Sequence, residues 1–332
     1  MFSINRISVI GAGSWGTAVA NLLAQSKNFV SLYHYRTDFI DELKKNRIHP
    51  YLNDTIINPQ IDLTSDINKL SDSDYYFIAV PTKSLRSLFK SISFPASSSI
   101  VSLSKGIEKD THLFPSDIIM DCTNYIENDI CVLSGPTHAE EVSLNIPSAV
   151  VAAGTNITLN KKIQELLSTP TFRVYSNSDI KGVEISGAIK NIISIASGMC
   201  IGLGFGDNTT AALITRGLNE IIRLGDFYGS EVSTFYGLAG IGDLAVTAFS
   251  THSRNREFGI KIAEGSSVAS LIKDMGMIVE GYYTSYALND IIDTNNLEMP
   301  ISKSVYSILY EDLSPKQAIM NLMSRDLTHE NN

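Results

Sequence analysis

Ile7-Ser8-Val9-Ile10-Gly11-Ala12-Gly13-Ser14-Trp15-Gly16 decides how the rest of the chain is read. Residues 7–10 are a short apolar run, as a strand requires, and residues 17–24 continue as helix. A strand, a G-x-G-x-x-G turn and a helix in that order are the dinucleotide-binding fingerprint. Each glycine has a task. Gly11 permits the tight turn, Gly13 lets backbone N–H groups approach a pyrophosphate, and Gly16 lets helix and strand pack closely. The helix start then offers unpaired N–H donors and the positive end of its dipole to the phosphates. Ser14 and Trp15 lie inside this turn.

Working outward, 332 residues exceed one ordinary core, so two domains are expected. The apolar fraction of 44% and charged fraction of 18% describe a globular chain, neither disordered nor fibrous. A net charge of −9, from 26 basic and 35 acidic residues, disfavours nucleic acid or an anionic membrane as partner. An anionic substrate would need a local group of cations. Cys122, Cys131 and Cys200 show no CxxC spacing and leave an odd thiol, which suits a reducing compartment. The first strand starts beside Met1 and leaves no room for a signal peptide. Apolar runs such as 149–153 fall short of a membrane span, so a cytoplasmic protein without membrane insertion is expected.

Residues 29–34 alternate as a second strand, which ends in Tyr33-His34-Tyr35-Arg36. NAD-preferring folds place an acid here to bind the ribose hydroxyls, but the first acid is Asp38. Arg36 can pair with a 2′-phosphate, so NADPH is tolerated; a solvated surface arginine is the other reading. Residues 75–80, 99–103, 130–133, 148–153 and 172–175 read as further strands of a doubly wound sheet. Their carboxyl ends, where such sheets bind ligands, carry Ser104-Lys105-Gly106 and Gly135-Pro136-Thr137-His138-Ala139. Lys105 is open between a ligand contact and a solvated loop lysine. A lone histidine in a turn is more often structural, and His138 is given no role.

From residue 179 the strands stop. Helices are expected over 180–199, 209–228, 253–264, 282–292 and 316–324. The chain thus divides into a Rossmann-type α/β domain, residues 1–180, and an all-α domain, residues 181–332, with the active site in the cleft between them. In the 180–199 helix Ile185, Ile189, Ile192, Ile193 and Ala196 hold core spacing, while Ser186, Lys190, Ser194 and Ser197 form a narrow polar stripe. Walled by isoleucines, Lys190 would be desolvated and suited to proton transfer; snorkelling to water is the alternative. Gly237-Leu238-Ala239-Gly240-Ile241-Gly242-Asp243 permits close backbone approach. Asp243 can cap the next helix or hold a lysine. Ser253, Arg254, Asn255 and Arg256 put an arginine fork beside a helix start, a good receptor for a phosphate dianion.

Assembled, these residues resemble the bacterial-type NAD(P)-dependent glycerol-3-phosphate dehydrogenases nearly end to end. The match comprises G-A-G-S-W-G (11–16), S-K-G-I-E (104–108), G-P-T-H-A (135–139), G-A-I-K-N (187–191) and N-T-T-A-A-L-I-T-R-G (208–217). It continues through G-L-A-G-I-G-D-L (237–244), S-R-N-R-E-F-G (253–259) and V-E-G (279–281). The resemblance implies a dimeric cytoplasmic enzyme that interconverts sn-glycerol 3-phosphate and dihydroxyacetone phosphate with NADPH or NADH, needs no metal, and feeds phospholipid synthesis. It makes Lys190 the proton acceptor and sets Lys105 against both substrate and cofactor, with Gly135, Thr137 and Asp243 completing the polar site. Ser253, Arg254 and Asn255 would hold the phosphate. Ser14, Trp15, Arg36, Ala139, Ile278 and Glu280 would line the dinucleotide, with Arg254 also near it and Tyr35 at the family's first ribose-side basic position. The family commonly has Gly-Pro-Ser-Phe-Ala where this chain has Gly-Pro-Thr-His-Ala. Two competing readings are a sister dehydrogenase for a hydroxyacyl thioester or sugar acid, and a regulator that only senses NAD(P)H.

Overall fold

The computed structural model describes residues 4–52, 55–274, 278–327 and 329–330. Strands β1 (Arg6–Ile10), β2 (Phe29–Tyr33), β3 (Asp62–Thr64), β4 (Tyr75–Ile78), β5 (Ser99–Ser102), β6 (Ile130–Ser134), β7 (Ser148–Ala153) and β8 (Phe172–Asn177) form one sheet. Their order is β3-β2-β1-β4-β5-β6-β7-β8, and all neighbours are parallel except β6 and β7. The order reverses between β1 and β4, which makes their carboxyl ends the switch point where ligands collect in such sheets. Helices α1 (Ser14–Leu23), α2 (Thr37–Asn46), α3 (Thr82–Ser91), α4 (Pro115–Cys122), α5 (Ala139–Ser143) and α6 (Ile157–Leu167) connect the strands. Two apolar clusters form, one including Val9, Leu32, Phe77 and Val101, the other Ile10, Tyr76, Ile78 and Ile100. Alternate side chains of a strand point to opposite faces, so both faces of the sheet are covered, as expected for a parallel sheet.

The second half is helical: α7 (Ile180–Gly202), α8 (Asp207–Phe227), α9 (Val232–Phe235), α10 (Asp243–Phe249), α11 (Arg254–Ala263), α12 (Val268–Asp274), α13 (Glu280–Asn295), α14 (Pro300–Tyr310) and α15 (Pro315–Met323). Four of these, α9, α10, α12 and α14, lie outside the helices read from the sequence, as does strand β3. Their shortness explains most of this: three to seven residues carry too little periodicity to register, and only α14 is longer.

The expectation that no segment reaches membrane-span length is corrected by α7. It is 23 residues long, with a mean hydropathy of 1.3 over its most apolar window, yet 89% of that window is buried inside the molecule. Val232–Phe249 also passes by length and hydropathy, but it joins α9, a π-type turn and α10. The apolarity of α7 goes into packing against α8, α10, α11 and α13. Its crossing with α11 is a backbone contact. A Cβ on Gly198 would lie 2.0 Å from the Arg256 carbonyl oxygen, and one on Gly259 would lie 2.1 Å from that of Ile195. Val132, Val151, Ala153, Ile180, Val183 and Ala239 form a small apolar cluster where α7 meets the sheet. Glu184 of α7 accepts hydrogen bonds from the Ser116 amide (2.7 Å) and hydroxyl (2.6 Å) at the start of α4. These contacts fix one half against the other.

Candidate active site

The glycine turn has the expected form. Gly11 has a φ of +113°, and a Cβ there would stand 2.4 Å from the Ala79 carbonyl oxygen. A Cβ on Gly16 would meet the Gly11 carbonyl oxygen at 1.9 Å. Both positions therefore require glycine. At Gly13, in contrast, nothing lies within 4 Å of an added Cβ, so the turn is open on its outer side. Gly13 is also the N-cap of α1, with no side-chain cap and no acidic residue in the first turn. The α1 amides of Ser14, Trp15 and Gly16 thus meet the conditions for a pyrophosphate: bare donors, open space and no competing carboxylate. Trp15 packs partly buried against the sheet's core, and Ala139 is buried at the start of α5, which packs on α1.

One residue missed from the sequence supports this turn. His49, in the segment after α2, is buried, and its Nε2 lies 3.1 Å from the Ala12 carbonyl oxygen. Its Nδ1 accepts from the Tyr51 amide at 3.2 Å, so Nε2 carries the proton and donates to Ala12. No motif flags it, because its partner is a backbone carbonyl 37 residues away. Past β2, Tyr35 is exposed and Arg36 forms an ion pair with Asp38.

The chemical centre is assembled from three parts of the chain. Lys190 projects from the polar stripe of α7. Its Nζ donates to Asp243 Oδ1 at 2.6 Å and to Thr247 Oγ1 at 2.8 Å. Lys105, just beyond β5, donates to the other oxygen, Asp243 Oδ2, also at 2.6 Å. Ser134, the last residue of β6, donates to the same oxygen at 3.5 Å. Asp243 is the first residue of α10, but its carboxylate is given to the two lysines and not to a cap. Two of the stripe's hydroxyls serve the same contact: Ser194 donates to the Thr247 carbonyl and Ser197 to the Ala248 carbonyl, both at 3.0 Å, while Ser186 bonds to Gly182 of its own helix. Lys190 therefore does not snorkel; only 7% of it is exposed. Thr247 had no individual signal in the sequence.

Two ammoniums around one carboxylate leave the centre a net positive charge, in a chain of net charge −9. Burial pushes the Lys190 amine down to about 8; Lys105 adds to the depression and Asp243 opposes it. Burial alone would raise the Asp243 carboxyl, but the two lysines outweigh it and hold it below its usual range. The pair is thus an amine near the edge of ionisation tied to a firmly charged carboxylate.

The residues expected to hold phosphate prove to be of two kinds. Ser253 and Asn255 are buried and knit helices together. Ser253 Oγ caps the Arg256 amide at 3.3 Å and lies 2.9 Å from Ser194 Oγ. Asn255 donates to Asn191 at 3.0 Å and accepts from the Gly281 amide at 3.1 Å. Arg254 is exposed and donates to the Ile278 carbonyl at 3.4 Å. Its guanidinium also acts on Glu280, whose carboxyl burial pushes up to about 7 and which accepts from the Thr82 amide at 3.3 Å. Arg254, Ile278 and Glu280 are therefore brought together, and Glu280 bridges to the α3 end of the sheet domain. On the turn after β6, the Thr137 hydroxyl donates to the Gly135 carbonyl at 3.2 Å. Added to Gly135, a Cβ would stand 3.0 Å from Val150 Cα, so the turn lies close on β7.

Comparisons with known proteins identify the family. Residues 6–160 match the family described as NAD-dependent glycerol-3-phosphate dehydrogenase N-terminus, and residues 179–320 match its C-terminus. A glycerol-3-phosphate dehydrogenase [NAD(P)+] of Halothermothrix orenii is 44% identical, over 98% of this chain and 96% of its own. A Staphylococcus epidermidis protein of the same name is 42% identical, over 97% and 99%. Among solved structures, glycerol-3-phosphate dehydrogenase from Coxiella burnetii superposes with a TM-score of 0.93 at 35% identity, over 97% of this chain and 99% of that one. D-mandelate dehydrogenase, at 15% identity and a TM-score of 0.66, shares the fold alone. The chain belongs to the NAD-dependent glycerol-3-phosphate dehydrogenase family.

Proposed function

We propose that this protein interconverts sn-glycerol 3-phosphate and dihydroxyacetone phosphate with NADH or NADPH. The observation that carries this reading is the Lys190–Asp243–Lys105 group, in which buried Lys190 and Asp243 of the helical half meet partly buried Lys105 from the end of β5. Bound on the glycine turn, the nicotinamide nucleotide supplies or accepts the hydride. The chain's own residues handle the proton and the orientation. Neutral Lys190 takes the C2 hydroxyl proton during oxidation; in reduction the charged amine returns it and stabilises charge developing on oxygen. Asp243 and Thr247 fix the direction of the amine, and Lys105 adds a second ammonium at the same end. Arg254 and the α11 amides hold the phosphate, while Ser253 and Asn255 keep that helix start in register with α7. A grip on the remote phosphate aligns the reacting carbon and lowers the barrier by positioning.

Gly135 and Thr137 shape the substrate's other side. Gly11, Gly13, Ser14, Trp15, Gly16, Tyr35, Arg36, Ala139, Ile278 and Glu280 line the dinucleotide. The reading includes a division of labour near residue 180, a homodimer in the cytoplasm, no insertion into membrane, and supply of glycerophospholipid synthesis; the family resemblance supports these. The test is decay of nicotinamide absorbance with dihydroxyacetone phosphate and NADPH or NADH. No decay sinks the reading, and decay only with another carbonyl points to a sister dehydrogenase.

A further inference from the structure

His138 stands between Thr137 and Ala139 on the turn after β6, in a position that the Lys190 centre and the Arg254 phosphate site leave without a task. Its backbone carbonyl accepts from the Val142 amide at 3.1 Å and so starts α5, but its side chain caps nothing. The ring turns toward the helical half. It lies 5.7 Å, centroid to centroid, from the ring of His252, which precedes Ser253 and Arg254. The groups that act on it electrostatically are Lys190, Glu140 and Asp243, so it is close to the buried centre. The Val246 carbonyl favours a proton on the ring, while Nε2 is buried with no hydrogen-bond partner among the described residues. The neutral tautomer with its proton on Nδ1 offers Nε2 as an acceptor. Burial and the neighbouring Lys190 charge keep the ring neutral.

Buried polar atoms in folded proteins nearly all have partners, and an orphan at a site's edge marks where a ligand atom supplies one. A three-carbon phosphoester brings three polar features. The C2 oxygen belongs with Lys190 and the phosphate with Arg254 and α11, which leaves the C1 hydroxyl. That hydroxyl must donate to something once it is enclosed. We propose that His138 Nε2 accepts the hydrogen bond of the substrate's C1 hydroxyl and is a specificity-determining residue of this enzyme. The inference rests on the reading given under Proposed function. It adds a reason for histidine here: an apolar ring could enclose C1 but could not read it.

The test compares dihydroxyacetone phosphate with acetonyl phosphate, the same ketone with a methyl in place of CH2OH, in wild type, His138→Phe and His138→Gln. Wild type should prefer the hydroxylated ketone by about ten-fold or more in kcat/KM, because the analogue leaves Nε2 unpaired. His138→Phe should lose most of that preference and keep its KM for the nicotinamide nucleotide, which also shows that it folds. His138→Gln, with an acceptor oxygen, should recover part of it. The inference is overturned if His138→Phe discriminates as well as wild type, or if it slows both ketones equally. A wild type inactive with both ketones would sink the parent reading instead.

Discussion

Lys190 and Arg36 are both cations that the sequence sets beside a ligand, and the structure treats them in opposite ways. The Lys190 side chain is 9% exposed and bonds to Asp243, 53 residues away, and to Thr247. The Arg36 side chain is 54% exposed and pairs with Asp38, two residues on. A buried ion pair is expensive to break, because the surviving charge is left in a medium that cannot solvate it; an exposed pair is screened by water and contributes little. The difference separates two jobs. Under the proposed function, Lys190 is held in one place for the proton transfer. Arg36, whose exposed pair with Asp38 is easily exchanged for a phosphate, is there assigned to the choice between cofactors and not to rate.

The contrast can be broken most decisively at Lys190. Lys190→Ala should lower kcat by about 10²–10⁴-fold, the usual worth of a positioned acid–base group, with the nicotinamide nucleotide still bound by fluorescence titration. Near-normal turnover would remove it as the proton carrier. In the intact enzyme, an amine held near 8 loses its proton as pH rises through that value. Oxidation of glycerol 3-phosphate should therefore climb to a plateau above about pH 8, while reduction falls over the same window. A flat profile in both directions would contradict the assignment.

Asp243→Asn leaves two ammoniums facing a neutral amide. Removing one partner of a buried pair costs about 3–5 kcal/mol, so the melting temperature should drop and kcat should fall by about a hundred-fold. The pH midpoint of the reductive reaction should also move down, since the counter-charge that favours ammonium is gone. An unchanged midpoint would mean that the carboxylate does not govern Lys190. Arg254→Ala should reduce kcat/KM for the phosphorylated substrate by about 10–100-fold, the worth of one charge-assisted contact, and an unchanged specificity constant would refute the phosphate role. The smallest effect belongs to the rim: Arg36→Asp should shift the NADPH/NADH ratio toward NADH by about ten-fold or less, with kcat on NADH retained. A ratio that does not move would make Arg36 a surface residue only.

How much of this could be read from sequence depended on where each partner lies. The glycine turn was legible because the residue type is itself the signal: the φ of +113° at Gly11 and the contact of Gly16 with the Gly11 carbonyl lie within the turn, even though Ala79, which crowds Gly11, is far along the chain. The polar stripe of α7 was legible as a stripe, since helical periodicity puts Ser186, Lys190, Ser194 and Ser197 on one side. What the stripe faces was not. It faces α10, seven residues whose pattern is too short to announce a helix, and the choice between desolvated and snorkelling lysine hung on that cover. Asp243 was open for the same reason. Ser253 is legible by residue type as a helix cap, and it does cap α11, while the family resemblance gives it and Asn255 to the phosphate; that their side chains also hold α11 against α7 and α13 depends on neighbours distant in sequence. The antiparallel direction of β7 also has no local signal, because strand polarity is set by how the connection crosses the sheet.

The burial of α7 has a consequence for how the molecule comes into being. The helices that sheathe it, α8, α10, α11 and α13, are all encoded after it. On the ribosome, a rod of bilayer length therefore emerges with only its sheet-facing end covered, and its cover is not complete until Glu280–Asn295 has been made. The nascent chain passes through an interval in which it looks like a membrane protein, and only its later third persuades it otherwise.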